Sequence, residues 1–329
     1  MIDEILATAR ALADDVLFPR ALETDVARLV PVDLLDRLAD DGFYGMAAPA
    51  DAGGWDLPIE DVQPVVETLA GGCLTTTFVW IQHHNVVRAV ATTETAGLRD
   101  EWLVPLARGE RRAGIALAGE RPGPPLLLAR AEGQELVLDG EAPWVTGWGR
   151  IDAVLVAARA GDRVVRVLVD AAASPTLTVV PLRLVAANAS GTVVTRFDGH
   201  RVPASRIVGW EEHAAAMSRD ATGLRTNGSL PLGVASRCLR LLGPSPLDDE
   251  LVEIRAGLDG AGPQEMPAAR ARAAAFAWRA AGVLVATGGA RSIVTDHHAQ
   301  RLAREAMFTL VFGSRPPIKA ALVERLVGG

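Results

Sequence analysis

The side chains in this sequence that suit acid–base or metal chemistry include two adjacent histidine pairs, His83-His84 and His297-His298. Both pairs fall in segments with a helical pattern, where neighbouring residues point about 100° apart, so neither pair can chelate one metal ion alone. The only cysteines, Cys73 and Cys238, are far apart and lack the spacing of metal ligands. The sequence therefore predicts no metal site, no disulfide framework and a reduced, cytoplasmic setting.

A segment with two indoles and a hydroxyl, Trp144-Val-Thr146-Gly-Trp148, lies between a predicted turn and a predicted strand. In an extended chain Trp144, Thr146 and Trp148 would face the same side. A flat apolar surface beside a hydroxyl suits a planar heteroaromatic ligand such as a flavin or a nucleobase. The alternative is an ordinary strand with a partly buried tryptophan and a threonine.

Composition and motifs exclude several classes of function. The 329 residues carry a net charge of -7, from 33 basic and 40 acidic residues, and contain no basic block. This balance argues against nucleic acid or an anionic membrane as the main partner. The Walker A loop, G-x-G-x-x-G after a strand, H-E-x-x-H and G-x-S-x-G are all absent from the sequence.

Neither a signal peptide nor a membrane span is expected. The first fifteen residues, MIDEILATARALADD, carry acids where a signal peptide has basic residues before an apolar run. The most apolar stretch, Ala273–Ala290, is interrupted by Arg279 and by glycines.

Hydrophobic periodicity divides the chain into three parts. Residues 1–111 and 210–329 repeat apolar residues at intervals of three and four, which predicts amphipathic helices. Residues 112–209 contain short apolar runs between turns, which predicts a small β-barrel or sandwich without crossover helices. Six strands are predicted, at 114–118, 135–138, 151–158, 164–169, 177–180 and 192–197, and a helix is predicted from Glu211.

This order of parts, together with five local segments, resembles the acyl-CoA dehydrogenase flavoprotein family. The matching segments are Leu34–Gly54, Pro105–Gly109, Trp144-Val-Thr146, Phe197–Pro203, and Gly288-Gly289 followed by Arg301–Ala306. The resemblance extends over nearly the whole chain. It implies an α+β multidomain fold with an N-terminal helical domain (1–111), a central small β-barrel or sandwich (112–209) and a C-terminal helical bundle (210–329).

The resemblance also implies FAD as cofactor and α,β-dehydrogenation of an acyl-CoA thioester, with hydride passing to flavin N5. In the family's Trp-Ile-Thr segment the tryptophan flanks the flavin ring and the threonine hydrogen-bonds near N5. An oligomer is implied too, because the family's FAD lies across a subunit interface. It would be a homo-oligomer or a heteromer with a second acyl-CoA dehydrogenase subunit. The candidate cofactor-binding residues are Leu117, Ala118, Gly123, Trp144, Thr146, Gly288 and Gly289.

Several positions depart from the family pattern. Where the family has Leu-Thr-Glu-Pro-x-x-Gly-Ser-Asp, this chain reads Leu117-Ala-Gly-Glu-Arg-Pro-Gly-Pro-Pro125. Ala118 therefore lacks a hydroxyl, and Pro124 lacks a backbone N–H. The family's Arg-x-x-Phe-Gly motif is absent after Leu242, and the C-terminal bundle is shorter than usual.

The glutamate that serves the family as general base has no counterpart at either of its two usual places. Phe312 and Gly313 occupy one place, and Gly223 lies near the other. Loss of a general base costs about 10²–10⁴-fold in rate. Substitute bases are Asp220, Glu120 and His83 or His84.

Three functions follow from these matches and departures. The first is an FAD-dependent acyl-CoA dehydrogenase whose base is relocated or supplied by a partner. The second is a catalytically silent subunit of a heteromeric acyl-CoA dehydrogenase. The third is a flavin monooxygenase on the same fold, for which His83-His84 is the supporting feature. Glu305 matches a structural aspartate of the family, so an ion pair is expected there.

Overall fold

The computed structural model describes residues 1–218 and 220–328, with side chains throughout except at residues 218 and 220–222. Within these ranges six α-helices precede a β-sheet and six follow it. The first six are α1 (Ile2–Ala11, continued by a π-helical turn, Leu12–Leu17), α2 (Ala21–Val26), α3 (Val32–Asp40), α4 (Ile59–Gly72), α5 (Leu74–Ala91) and α6 (Leu98–Ala107). The last six are α7 (His213–Ser218), α8 (Asp220–Leu242), α9 (Leu247–Asp259), α10 (Met266–Gly288), α11 (His298–Val311) and α12 (Pro316–Gly328).

The eight strands found in the described ranges form one sheet. They are β1 (Ala113–Ala116), β2 (Leu127–Glu132), β3 (Glu135–Val145), β4 (Ala153–Ala160), β5 (Arg163–Asp170), β6 (Leu177–Pro181), β7 (Val193–Pro203) and β8 (Ile207–Glu212). Their order is β6-β7-β3-β2-β4-β5-β8, and β1 pairs with β4. The pairs β1–β4 and β2–β4 are parallel, and the other pairs are antiparallel. The predicted fold class, a helical domain, a β domain and a helical bundle, is confirmed.

Strand β4 joins the β domain to the N-terminal helices because both of its faces are buried. Side chains alternate along a strand, so Val154 and Val156 enter the core of the β domain, while Leu155 faces the other way. Leu155 packs in a cluster with Val87 of α5 and Leu106 of α6. The helices that precede the sheet are thus fixed against one of its faces.

Two strands, β2 and β8, are missing from the sequence-based prediction. β2 buries only Leu127 and Ala129, exposes Leu128 between them and carries Arg130 and Glu132 after them, so its apolar pattern is weak. β8 lies at the edge of the sheet and occupies part of the helix predicted from Glu211. There Glu211 is paired with Arg166 of β5 at 3.1 Å, and the helix begins only at His213.

Helix α10 lies at the centre of the C-terminal bundle and packs against α8, α11 and α12. The segment Met266–Ile293 is long and apolar enough to cross a membrane by length and composition alone, a test that core helices also pass. Its apolar window is 39% buried within the chain. The remaining apolar surface of α10 therefore faces outward in the isolated chain.

Candidate functional site

Trp144 and Thr146 lie at the end of β3, but they do not share a face. Trp144 has a left-handed φ of +64°, and the pairing of β3 with β7 is irregular between Ala142 and Val145. This breaks the alternation that the sequence predicts. The Trp144 indole is 57% exposed, whereas Thr146 is only 4% exposed. The prediction of one common face, which also included Trp148, is wrong because the strand ends at Val145 and Trp148 lies in the turn that follows.

A chain of three buried hydroxyl groups starts at Thr146. Its Oγ1 lies 3.3 Å from Oγ1 of Thr192, which lies 2.7 Å from Oγ of Ser190. The loop that presents Ser190 is fixed, since its carbonyl accepts a hydrogen bond of 2.9 Å from the N–H of Gly147. The sequence did not point to Ser190 or Thr192, because their contact with Thr146 depends on tertiary packing across 46 residues.

The turn after β3 lies against α5, and α5 in turn meets the end of α11. A Cβ atom added to Gly147 would lie 3.6 Å from Cγ1 of Val79. One residue earlier, the ring of Phe78 makes edge contacts with Phe308 and Phe312, with ring centroids 4.9 Å apart in both cases. Three aromatic rings therefore close the space between these two helices.

Phe312 and Gly313, which the sequence resemblance predicts at one of the family's glutamate positions, carry no carboxylate. Phe312 stacks on Phe308 at 5.4 Å and is half-buried. Gly313 has a φ of +62°, and a Cβ atom there would lie 2.9 Å from Nδ2 of Asn227. The described groups beside this place include aromatic rings, an amide and the guanidinium of Arg270, which donates to the carbonyl of Phe312 at 3.4 Å, and none of these can act as a general base.

Glu120, the first substitute base, is held in an ion pair on the β domain. Its Oε1 accepts hydrogen bonds from Nε and Nη2 of Arg166, at 2.8 and 2.6 Å. Arg166 also pairs with Glu211. A carboxylate held in this way is a structural partner of the arginine.

His83 also has a structural role, because both of its ring nitrogens are engaged. Nδ1 accepts from the N–H of Ala113 at 3.2 Å, so Nε2 carries the proton and donates it to the carbonyl of Leu106 at 3.0 Å. Burial lowers the pKa of His83 to about 3. Burial also lowers the pKa of His84 well below its ordinary value, and neither of its ring nitrogens has a hydrogen-bond partner among the described residues.

The other predicted positions are placed as follows. The side chain of Asp220 lies outside the described residues. Gly223 is exposed on α8, with open space where a Cβ would be. Glu305 forms the expected ion pair, with Arg301 at 2.6 Å, and both side chains are buried.

The remaining candidate cofactor residues divide into a buried and an exposed group. Leu117 and Ala118 lead into a short 3₁₀ turn that packs against β4, since a Cβ on the next residue, Gly119, would lie 2.7 Å from the carbonyl of Ala157. Gly123 is exposed with a φ of +90°. Gly288 and Gly289 are exposed at the end of α10.

Both cysteines are buried and carry free thiols. Burial raises the pKa of Cys238 to about 12, so its thiol stays protonated and weakly reactive. Within the part of the chain that the structure describes, no group of three His, Cys, Asp or Glu side chains is arranged to hold a metal ion.

Comparison with known proteins identifies the family of this fold. The family model for the acyl-CoA dehydrogenase N-terminal domain matches residues 2–110. The butyryl-CoA dehydrogenase from Megasphaera elsdenii matches 99% of this chain and 98% of its own, with a TM-score of 0.83 at 17% identity. This chain has the fold of the acyl-CoA dehydrogenases, and its residues 2–110 match that family's N-terminal domain. A glutaryl-CoA dehydrogenase from Mycobacterium smegmatis, solved with FADH2, matches all of this chain and 95% of its own, with a TM-score of 0.83 at 18% identity.

Curated relatives in the family match about half of the chain. The 3-sulfinopropanoyl-CoA desulfinase of Advenella mimigardefordensis is 29% identical over 47% of this chain and 39% of its own length. The human mitochondrial short-chain specific acyl-CoA dehydrogenase is 26% identical over 46% of this chain and 38% of its own length. The matched region thus spans about two fifths of the length of these relatives.

FAD is the cofactor of this family, and the end of β3 fits its ring. A largely exposed indole lies two residues from a buried hydroxyl, which suits one planar face and one polar edge. The loop that follows β1 fits the phosphate end less well. Ala118 has no hydroxyl and Pro124 no N–H to donate.

Proposed function

We propose that this chain is an FAD-binding subunit of an acyl-CoA dehydrogenase-type oxidoreductase, which acts on a small acyl-CoA thioester in the cytoplasm. We further propose that a second subunit supplies the general base. The observation that carries the proposal is Phe312, which stands where the family has a glutamate and is packed against Phe78 and Phe308. The buried, unpaired thiols of Cys73 and Cys238 support a reducing compartment.

Each side chain at the end of β3 has a role in this proposal. Bound FAD would supply the acceptor for the substrate's hydride. The Trp144 indole would cover the flavin ring. The hydroxyl of Thr146 would donate a hydrogen bond to the polar edge of that ring. Thr192 and Ser190 would hold that hydroxyl in one orientation, because each can donate to the next oxygen in the chain.

A partner is proposed because the two described carboxylates that the sequence singles out, Glu120 and Glu305, are each held in an ion pair with an arginine. Glu120 pairs with Arg166, and Glu305 pairs with Arg301. Removal of a thioester α-proton requires a carboxylate or similar base placed within hydrogen-bond reach. A complete family subunit bound to this chain would provide it.

The two alternatives make different demands. A silent subunit would bind no flavin, in line with Ala118 and Pro124. The monooxygenase loses support from His83, whose two ring nitrogens already bond the backbone. No described feature favours the monooxygenase over the dehydrogenase.

The test is a visible absorption spectrum of the purified chain with FAD, followed by anaerobic addition of butyryl-CoA. We expect flavin bands that bleach slowly or not at all, and fast bleaching once a complete family subunit is added. Fast bleaching by the chain alone would show that it carries its own base, with Asp220 as the first residue to substitute. Absence of bound flavin would favour the silent subunit.

A further inference from the structure

A cavity whose lining includes neither Trp144 nor Thr146 lies between the loop after α3 and the end of α5. Its volume is about 600 Å³, and Arg88, Arg99, Asp51 and Asp56 contribute its charged walls. Apolar walls come from residues such as Ala47, Leu57 and Ala91. A cavity of this size can hold a small metabolite.

Arg88 is the one of these arginines that lacks a partner. Arg99 pairs with Asp51 at 2.7 Å, whereas the guanidinium of Arg88 makes no hydrogen bond or ion pair with the residues that the structure describes. Arg88 is half-buried, and burial lowers its pKa from the ordinary value. An arginine keeps its charge in such a place, so it presents to the cavity a partly desolvated cation that has no direct ion-pair partner among the described residues.

Further unpartnered polar atoms lie below Arg88 on the same helix face. His84 and Trp80 precede Arg88 by one and two turns, and their rings are in contact, with centroids 4.6 Å apart. Both ring nitrogens of His84 and Nε1 of Trp80 are buried without a hydrogen-bond partner in the described ranges. Neither residue lines the cavity, so these buried groups lie behind Arg88 and are not part of the proposed site.

The wall opposite α5 is rigid. The N–H of Asp56 donates to the carbonyl of Ala48 at 2.9 Å, and the N–H of Leu57 donates to that of Met46 at 3.0 Å. A Cβ on Gly54 would lie 2.1 Å from the Ala48 oxygen, so the loop is closely packed. Asp56 is held at a φ of +48°, a conformation that non-glycine residues adopt at a cost. The cavity therefore exists before any ligand binds.

We propose that this cavity binds a small organic carboxylate, with its carboxylate on the guanidinium of Arg88 and its aliphatic part against Ala47, Leu57 and Ala91. A planar carboxylate matches the fork of a guanidinium. Asp51 and Asp56 line the same cavity, so a doubly charged phosphate would be repelled more strongly than a singly charged carboxylate. The site is separate from the proposed flavin site and does not depend on it.

The test is isothermal titration of the whole chain with sodium butyrate. Arg88→Gln removes the guanidinium that is proposed to bind the carboxylate. Arg10→Gln removes an equal charge from an exposed position on α1 and serves as the control. We expect the unaltered chain and Arg10→Gln to bind butyrate alike, and Arg88→Gln to bind it about 10–100-fold more weakly, as the loss of a charge-assisted hydrogen bond requires. Butanamide, which has the same shape without the charge, should bind as weakly as butyrate binds to Arg88→Gln.

A second variant guards against a change in folding. Ala91→Trp fills the cavity without altering any charge, and it should abolish butyrate binding while Arg88 is intact. The proposal is overturned if butyrate does not bind to the unaltered chain, if Arg88→Gln binds as tightly as Arg10→Gln, or if butanamide equals butyrate. Tighter binding of inorganic phosphate than of butyrate would overturn the choice of a carboxylate.

Discussion

At Phe312 the fold is kept while the side chain proposed to act as general base is missing. Its ring packs against Phe78 of α5, so a carboxylate put in its place would enter a largely apolar setting. Such a setting raises the pKa of a carboxyl group and suits it to act as a base near neutral pH. The proposed loss of the base can therefore be tested directly at position 312.

We expect Phe312→Glu to give the FAD-loaded chain a base and speed its anaerobic bleaching by butyryl-CoA by about 10²-fold or more, the usual effect of a general base. Phe312→Gln is the matched control, because a glutamine side chain is about as large and polar as a glutamate side chain but cannot accept a proton from the substrate. Stopped-flow absorbance measures both. Equal rates for the two variants would mean that position 312 does not face the reacting carbon.

His83 makes the pH dependence of stability predictable. Burial lowers its pKa from 6.5 to about 3, so between these values the unfolded chain binds a proton that the folded chain does not. The free energy of unfolding must then fall as pH decreases through this range, by about 1.4 kcal/mol per pH unit for each such histidine. We expect His83→Gln to reduce that slope by about one proton in urea titrations between pH 6 and pH 4. An unchanged slope would mean that His83 is protonated in the folded state.

Sequence reasoning found the residue types of the site but not their partners. Trp144 and Thr146 stand out by composition, yet the left-handed φ of Trp144 that separates their faces has no sequence signal of its own, because tryptophan gives no hint of it. The pairing of Glu120 with Arg166 joins residues 46 positions apart. Tertiary contacts of this kind decide whether a carboxylate is a base or a structural ion.

Among the elements, α4 and α8 approach each other unusually closely. A Cβ on Gly233 of α8 would lie 2.3 Å from the carbonyl of Glu67 and 2.9 Å from the N of Gly71, both on α4. Arg237, one turn further on, donates to the carbonyl of Gly71 at 2.6 Å. These contacts connect the N-terminal domain to the C-terminal bundle through backbone atoms, which cannot move aside as a side chain can.

We expect Gly233→Ala to destabilise the protein by about 1–3 kcal/mol, because the added methyl group overpacks a closed backbone contact. Gly257→Ala on α9 is the control, since this glycine is exposed and the nearest described atom to its Cβ position is the flexible end of Arg272, Nη1, at 4.0 Å. That change should stabilise the helix by about 0.5–1 kcal/mol. Thermal unfolding followed by circular dichroism compares the two. A stabilising Gly233→Ala would show that α4 and α8 lie further apart than these contacts require.

The strands show where periodicity fails as a guide to elements. β4 and β5 are predicted correctly because their sequences contain nearly continuous apolar runs. The structure buries most of those residues. β8 is at the sheet edge, buries only Val208 and carries Trp210 and two glutamates. Edge strands are stabilised mainly by backbone pairing, here with β5, so their side chains need not follow a pattern.

For the molecule as a whole, the outward face of α10 and the turn after it are too apolar for an isolated chain. Val283 and Ile293 are 38% and 77% exposed, and Gly282 and Ala286 beside them are exposed as well. Large exposed apolar surfaces mark sites of association with other proteins. The proposal of a partner subunit therefore predicts that this face is covered in solution.

We expect light scattering on a size-exclusion column to give a mass that is a multiple of 34.6 kDa, or a complex with a second family subunit. The double variant Val283→Asp/Ile293→Asp should shift the chain to a monomer, because two buried charges without partners oppose association. Val26→Asp, at a position 76% exposed on α2, is the matched control and should leave the mass unchanged. A monomeric unaltered chain that still reduces FAD with an acyl-CoA would contradict the need for a partner, because one chain would then hold both the flavin and the base.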